Sequence, residues 1–410
     1  MNILFIGKFF PRDILRTIVA DTKGKAEFSN HNFEESLISG FAAQAGVNLR
    51  VLTAPNVYSY PHNNRKAFIH AEEYTDNNGV PVRSIGFCNA AVINQWTKPH
   101  ALAKAIRQEL QKFDGDEVHI IVNTPVLELS EAVMSAKRHS GKKIITTVIV
   151  PDVRECLLDM EGGAKGLKNK LVARQNRKNA ALTQEYDYFV FLTAAMNDYY
   201  NVAPGKFMVM EGLFDEKRAA QASAEALPEP TSAKEIILYA GSLKRIFGVI
   251  DLVEAFEAGK FPDTELWICG MGDSAEEIAV RAQQNPAIRF FGSVPPPKAL
   301  QLQRRATILA NPRTADGDYT KYSFPSKTIE YLLAGKSVIM NRLPGVPHEY
   351  DQYLTYPADE SLRAWVEAIS DIIASDPVAR KTRAEAGRNF ILENKTAAAQ
   401  CRRICNFINV

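Results

Sequence analysis

The chain has 410 residues, 46% of them hydrophobic and 23% charged, with a formal net charge of +2. That length exceeds one ordinary core and suits about two domains, while a near-neutral balance excludes a chain built as a whole to bind nucleic acid. No stretch nears the roughly 18 consecutive apolar residues that cross a bilayer, and the five cysteines are odd in number and widely spread, as expected of unpaired thiols in a reducing, cytoplasmic compartment.

The N-terminal MNILFIG is too short for the core of a leader peptide and reads as a first buried strand. LRVLTAP, VPVRSIGF, EVHIIVNTP, KKIITTVIV, YDYFVFLTA and KFMVMEG follow, most of them continuous apolar runs, the pattern of strands covered on both faces. Helical patterns such as FEESLISGFAAQ, ALAKAIRQELQKF and LELSEAVMSAKRH separate them, so a parallel, doubly wound sheet is expected. In such sheets ligands bind beyond the carboxyl ends of the strands. Gly7 and Lys8 after the first strand, Asn123 after HIIV and Asp152 after TTVIVP are therefore candidates for a substrate site. Asp152 could orient an acceptor hydroxyl, or simply cap the next helix. Ser29, Asn30 and His31 precede a helix and could line the same place, with His31 read as a surface or capping residue. His119 and His139 read as structural.

The segment GAKGLKNKLVARQNRKNAAL carries Lys165, Lys168, Lys170, Arg174, Arg177 and Lys178 without an acid. Such a basic helix could dock on anionic lipid headgroups, or present a solvated face. Residues 213–234 then break the rhythm, with no large apolar residue beyond Phe214 except Leu227, and read as an exposed linker. Strands and helices resume with EIILYAG, TELWICGMG, AIRFFGSV, ATILANP and KSVIMNR. The expected organisation is a first lobe over 1–212, a linker over 213–234, a second lobe over 235–385, and a terminal helical segment over 386–410 that packs back on the first lobe. Two doubly wound lobes would leave a cleft between them. Cys401 and Cys405, one helical turn apart, read as packing residues rather than a metal or redox pair.

The second lobe holds the more informative motifs. In YAGSLKRIFGVIDLVEAF a strand runs into Gly241 and a helix is expected from near Phe247. A glycine there lets backbone approach a ligand, and the helix offers free N–H groups to an anion. Lys244 and Arg245 would add charge for a diphosphate, unless the turn is an ordinary one. LWICGMGD brings Gly270 and Gly272 to the end of the next strand, a weak signal alone. After ATILANP comes a polar and aromatic loop from Arg313 to Tyr322, and then SFPSKTIEYLLAGKSVIM. Here Pro325 opens a helix capped by Ser323, with Ser326 and Lys327 in its first turn and Glu330 one turn on. A carboxylate at Glu330 can accept both hydroxyls of a ribose. Gly335 ends the helix.

The order YAGSL, GVIDLVEAF, LWICGMGD, IRFFGSV and FPSKTIEYLLAGKSVI, over about residues 236–345, resembles the donor lobe of the family-4 retaining glycosyltransferases. The FPSK, EYL, GK version is similar to a subset that assembles bacterial surface polysaccharides. The resemblance implies a GT-B fold of two Rossmann-like lobes, and sugar transfer from a nucleotide-sugar donor to a glycan or lipid-linked saccharide with retention of configuration. It also implies no metal and no other cofactor, because basic side chains and helix N-termini balance the leaving diphosphate. Many members carry an Arg after the glycine and a Lys five residues later, where this chain has Ser242 and Phe247, so Lys244, Arg245 and Lys327 would supply the cations. Many also carry two glutamates eight residues apart, the first of which is Tyr322 here and the second Glu330. Asp152, Lys244 and Lys327 would be catalytic. Gly241, Ser242, Arg245, Gly270, Gly272, Arg313, Tyr322, Ser326 and Glu330 would hold the donor, with Gly7, Lys8 and Asn123 on the acceptor side.

Asp316-Gly317-Asp318 imitates a metal-binding DxD but reads as a turn in a long loop. A GT-B epimerase acting on a nucleotide sugar is the nearest rival, and a non-catalytic sugar- or partner-binding module the next. A Rossmann dehydrogenase is disfavoured, because no GxGxxG with a following acid opens either lobe.

Overall fold

The computed structural model describes residues 1–22, 29–153, 167–215, 234–317 and 320–409. Two compact units divide the chain: Met1–Leu213 together with Ala397–Val410, and Phe214–Thr396.

In the first unit the elements run β1 (Asn2–Gly7), α1 (Arg12–Asp21), α2 (Ser29–Ala42), β2 (Asn48–Thr53), β3 (Phe68–Ile69), β4 (Glu72–Thr75), β5 (Pro81–Ser84), β6 (Phe87–Cys88), α3 (Asn94–Leu110), β7 (Glu117–Asn123), α4 (Leu127–His139), β8 (Lys143–Val150), α5 (Leu167–Thr183), β9 (Tyr188–Phe191), α6 (Met196–Tyr200) and β10 (Phe207–Val209). Eight strands form one sheet in the order β10-β9-β8-β7-β1-β2-β5-β4. All neighbours are parallel except β4, which runs antiparallel to β5. The short turn between them permits this: Asp76 Oδ1 accepts the N–H groups of Asn78 and Val80, each at 2.8 Å. The strand EEYT alternates half-buried and exposed residues, unlike the apolar runs around it. Ile3, Leu4, Phe5 and Ile6 are all fully buried, because helices cover both faces of the central strand.

The second unit holds β11 (Glu235–Ser242), α7 (Val249–Gly259), β12 (Thr264–Met271), α8 (Ala275–Gln284), β13 (Ile288–Phe290), α9 (Pro296–Arg305), β14 (Ile308–Asn311), α10 (Lys327–Leu333), β15 (Ser337–Met340), β16 (Leu354–Thr355), α11 (Leu362–Ala374) and α12 (Pro377–Asn394). Its six strands are parallel, in the order β13-β12-β11-β14-β15-β16. Ile237, Tyr239, Ile308, Ala310 and Ile339 pack one face against Val249, Val253 and Phe256 of α7 and Trp365 and Ile369 of α11.

After Thr396 the chain returns to the first unit as α13 (Ala397–Ile408). Cys401, Ile404 and Ile408 join Leu37, Ile38 and Phe41 of α2 in one core, and Cys401 Sγ donates to Leu37 O at 3.5 Å. Most of the linker expected over 213–234, as well as Cys156, Lys165 and Asp318, lies outside the described residues.

Candidate functional site

In the second sheet the chain lays down β11, β12 and β13 toward one edge, then returns to place β14 on the other side of β11. That reversal is the switch point where doubly wound sheets bind ligands. Pairing between the two strands reaches only Leu238 and Leu309, so beyond them the strands part. The Ala240 N–H donates instead to the Tyr331 hydroxyl of α10 at 3.0 Å, and that hydroxyl lies 3.3 Å from Ala240 O. A buried amide is thus satisfied without a neighbouring strand.

Gly241 and Ser242 end β11 at this opening. Lys327, the first residue of α10, reaches over Gly241: its Cε lies 3.6 Å from where a Cβ on Gly241 would stand. Lys327 Nζ is 3.1 Å from Glu330 Oε2, and Gln303 Nε2 donates to Glu330 Oε1 at 2.5 Å. Gly241, Lys327 and Glu330 therefore come together, with both charged side chains partly open to solvent. The helix starts later than expected. Ser326 precedes it and makes no side-chain cap bond, whereas Pro325 O accepts the Thr328 N–H at 2.8 Å in a tight turn just before it.

The loop after β11 folds into a single 3-10 turn, Arg245–Phe247, and α7 begins only at Val249. Gly248 between them has φ +72°, and a Cβ there would fall 2.2 Å from Pro312 O, so the start of α7 sits against the chain leaving β14. Gly270 is equally constrained: its φ is +148° and a Cβ would lie 1.8 Å from Gly241 O. Gly272 follows in an exposed turn tied to the first loop by Leu243 N–H to Met271 O, 2.8 Å, and Ser274 N–H to Leu243 O, 3.0 Å.

The expected cations differ in their surroundings. Lys244 is exposed and forms no ion pair among the described residues. Arg245 pairs with Glu277 of α8, and its N–H donates to Asp273 Oδ1 at 2.8 Å. Arg313 lies just past β14 with its guanidinium 5.5 Å from the Phe247 ring centre, and Tyr322 lies under the Lys321 ammonium at 5.0 Å. Sequence reasoning missed Asn341, whose Nδ2 donates to Pro312 O at 3.1 Å and Arg313 O at 3.2 Å while its Oδ1 accepts Trp365 Nε1–H at 2.9 Å. It fixes the backbone of the site. Only its place after the strand KSVIM hinted at it.

The first unit has its own switch point between β1 and β7. Gly7, Lys8 and Asn123 meet there around a residue not expected from the sequence, the fully buried Glu34 of α2. Lys8 N–H donates to Glu34 Oε2 at 2.7 Å, and Asn123 Nδ2 and Asn30 Nδ2 donate to Oε1 at 2.8 and 3.0 Å. Burial pushes the Glu34 carboxyl above its ordinary range despite these donors. The spacing of Asn30 and Glu34, one helical turn, was the available signal. His31 is buried rather than exposed, and its Nδ1 accepts the Phe10 N–H at 3.4 Å.

Beside this cluster, Lys8 Nζ and Lys98 Nζ each lie 3.1 Å from the same oxygen, Glu128 Oε1, in the first turn of α4. Burial lowers the Lys98 ammonium to about 8. Burial works to raise the Glu128 carboxyl, but the two lysines hold it down at about 2. Asp152 is exposed beyond β8 and lines a small pocket with Thr124, Asn179, Tyr199 and Tyr200. In the basic helix, Lys178 pairs with Glu131 of α4 and Arg174 and Arg177 are exposed, whereas the side chains of Lys168 and Lys170 lie outside the described residues.

Residues 234–375, within the second unit, match the family model described as glycosyl transferases group 1, which supports glycosyl transfer. No curated protein sequence matches the chain. Among solved structures, sucrose-phosphate synthase from Thermosynechococcus elongatus aligns over 100% of this chain and 98% of its own, with TM-score 0.61 and 14% identity. Anabaena HepE in complex with UDP aligns over 100% of both chains, with TM-score 0.61 and 15% identity. The lipopolysaccharide outer core galactosyltransferase WaaB covers 100% and 99%, with TM-score 0.60 and 14% identity. The fold is GT-B. Among the described residues, no helix is long and apolar enough to cross a membrane.

Proposed function

We propose that the chain is a metal-independent, retaining glycosyltransferase that moves a sugar from a nucleotide-sugar donor to a glycan or lipid-linked saccharide, in surface polysaccharide synthesis on the cytoplasmic face of a membrane. The observation that carries this reading is the meeting of Gly241, Lys327 and Glu330 at the switch point of the second unit, within the segment that matches the glycosyl transferase family.

Glu330 accepts the ribose hydroxyls. Lys327, released from Glu330, turns to the diphosphate together with Lys244, and Arg245, Arg313 and the amides at the start of α7 complete the cation and donor set. In the transfer the bond between the sugar's anomeric carbon and the diphosphate oxygen breaks and a bond to the acceptor oxygen forms. The acceptor's proton passes to the leaving phosphate. Charge gathering on that phosphate is stabilised by donors already in place, the largest usual term in such catalysis. Gly7, Lys8 and Asn123 belong to the acceptor side, and Asp152 orients an acceptor hydroxyl. Exposed Arg174 and Arg177 of the basic helix support peripheral contact with anionic lipid.

HepE is described in complex with UDP, which makes UDP and UDP-sugars the first ligands to test. Slow hydrolysis of a UDP- or other nucleotide-sugar by the purified protein, lost in Lys327→Ala, is the expected result. A panel of nucleotide sugars left intact by the wild type would overturn the enzymatic reading. Conversion of the donor to its epimer without an acceptor would favour the epimerase instead.

A further inference from the structure

Two ammonium groups share one carboxylate oxygen at the switch point of the first unit. Lys8 Nζ and Lys98 Nζ both sit 3.1 Å from Glu128 Oε1. Neither lysine is a surface group: the Lys8 side chain is 15% exposed and that of Lys98 9%. Lys98 arrives from α3, packs its ammonium 5.2 Å from the Phe87 ring centre and donates a further hydrogen bond to Pro55 O at 3.1 Å. Lys8 arrives from the end of β1, and Glu128 from the helix that follows β7.

Among the described residues the charges do not balance. Two cations face one anion there, and the fully buried carboxyl nearby, Glu34, is taken up by the Lys8 backbone amide and the two asparagine side chains rather than by an ammonium. A buried charge without a counter-charge is costly unless a partner completes it. Each ammonium carries three donors, and Glu128 Oε1 occupies one of each.

We propose that Lys8 and Lys98 form a binding site for an oxyanion, a phosphate or carboxylate group carried by the acceptor. The word acceptor rests on the glycosyltransferase reading; the anion site itself does not. Its placement beyond the carboxyl ends of β1 and β7 is where a doubly wound sheet receives ligands. The depressed ammonium of Lys98 agrees with a group held ready for an anion that would restore its full charge.

Calorimetry on the full chain tests this in two stages. UDP is titrated first, and its binding reports on the second unit and on the proposed function separately. With UDP saturating, the protein is then titrated with inorganic phosphate, glucose 6-phosphate, dodecyl phosphate and glucose. Phosphate-bearing ligands are expected to bind and glucose to bind far more weakly. Preference for glucose 6-phosphate over inorganic phosphate places the anion on a sugar, and preference for dodecyl phosphate places it on a lipid carrier. Lys8→Met and Lys98→Met should each weaken phosphate binding about tenfold or more, while UDP affinity stays unchanged. Glu128→Gln frees both ammonium groups and should tighten phosphate binding about tenfold, a gain that misfolding cannot mimic. Equal affinity for glucose and glucose 6-phosphate, or phosphate affinity unmoved by all three substitutions, would overturn the proposal.

Discussion

The hydroxyl of Tyr331 stands where a strand would otherwise be, accepting the Ala240 N–H at 3.0 Å just as β11 and β14 part. The fold gains an opening between two strands without leaving a buried amide unpaired. Tyr331→Phe keeps the ring and removes only the oxygen. It should cost about 1–3 kcal/mol, the usual cost of an orphaned buried donor. Urea denaturation measures this, and an unchanged midpoint would show that the amide finds another partner.

Glu330 is the residue assigned to the ribose. Glu330→Ala should weaken UDP binding about tenfold or more, a loss of at least ~1.4 kcal/mol, and Lys327→Ala should weaken it too by removing a phosphate cation. The two will not add, because each side chain is the other's partner at 3.1 Å in the ligand-free protein. UDP affinity unchanged in Glu330→Ala, read by calorimetry, would remove the ribose assignment.

Gly248 joins the start of α7 to the exit of β14. With φ at +72° and Pro312 O 2.2 Å from the place of a Cβ, it cannot accept alanine without moving the backbone at the site. Gly248→Ala should lose about 1–3 kcal/mol of stability and donor affinity with it. Ser242→Ala, at an exposed position with ordinary strand geometry, should leave stability within about 0.5 kcal/mol. Thermal unfolding of the pair separates the two cases.

The Glu128 cluster predicts a pH dependence. A carboxyl held at about 2 in the folded chain, against an ordinary 4.5, contributes stability that is present above pH 4.5 and lost as pH falls toward 2. The stability difference between wild type and Glu128→Gln should therefore shrink across that window. Lys98, lowered from 10.5 to about 8, acts in the other direction: the unfolded chain holds more protons between those values, so stability from this group rises with pH there. Lys98→Met should remove that alkaline limb in urea titrations at pH 7 to 10.

Most strands of the two sheets were legible as apolar runs, β4 and the two-residue β16 excepted, and the motif from Phe324 to Lys336 announced the helix carrying Lys327 and Glu330. What escaped was polar and long-range. Glu34 looks like any helix acid in FEESLISGF, and only the meeting of β1, α2 and β7 buries it under three donors. Lys98 precedes a proline in an unremarkable stretch, and Asn341 follows a strand as many asparagines do. Their roles come from partners 30, 43 and 24 residues away, Glu128, Pro55 and Trp365, a separation that periodicity does not record. The antiparallel β4 was missed for a local reason, since its charged EEYT carries no apolar run.

The helix Ala397–Ile408 belongs to the core begun by Ile3 and Phe5. The unit that holds β1 is therefore completed by α13, with the whole of Phe214–Thr396 made in between. During synthesis the second unit has all of its parts before the first does, reversing the usual N-terminal order. Until Cys401 and Ile404 emerge, the α2 residues Leu37 and Phe41 lack their partners in this core, so a chain truncated after Thr396 would carry every element of the second unit and an incomplete first one.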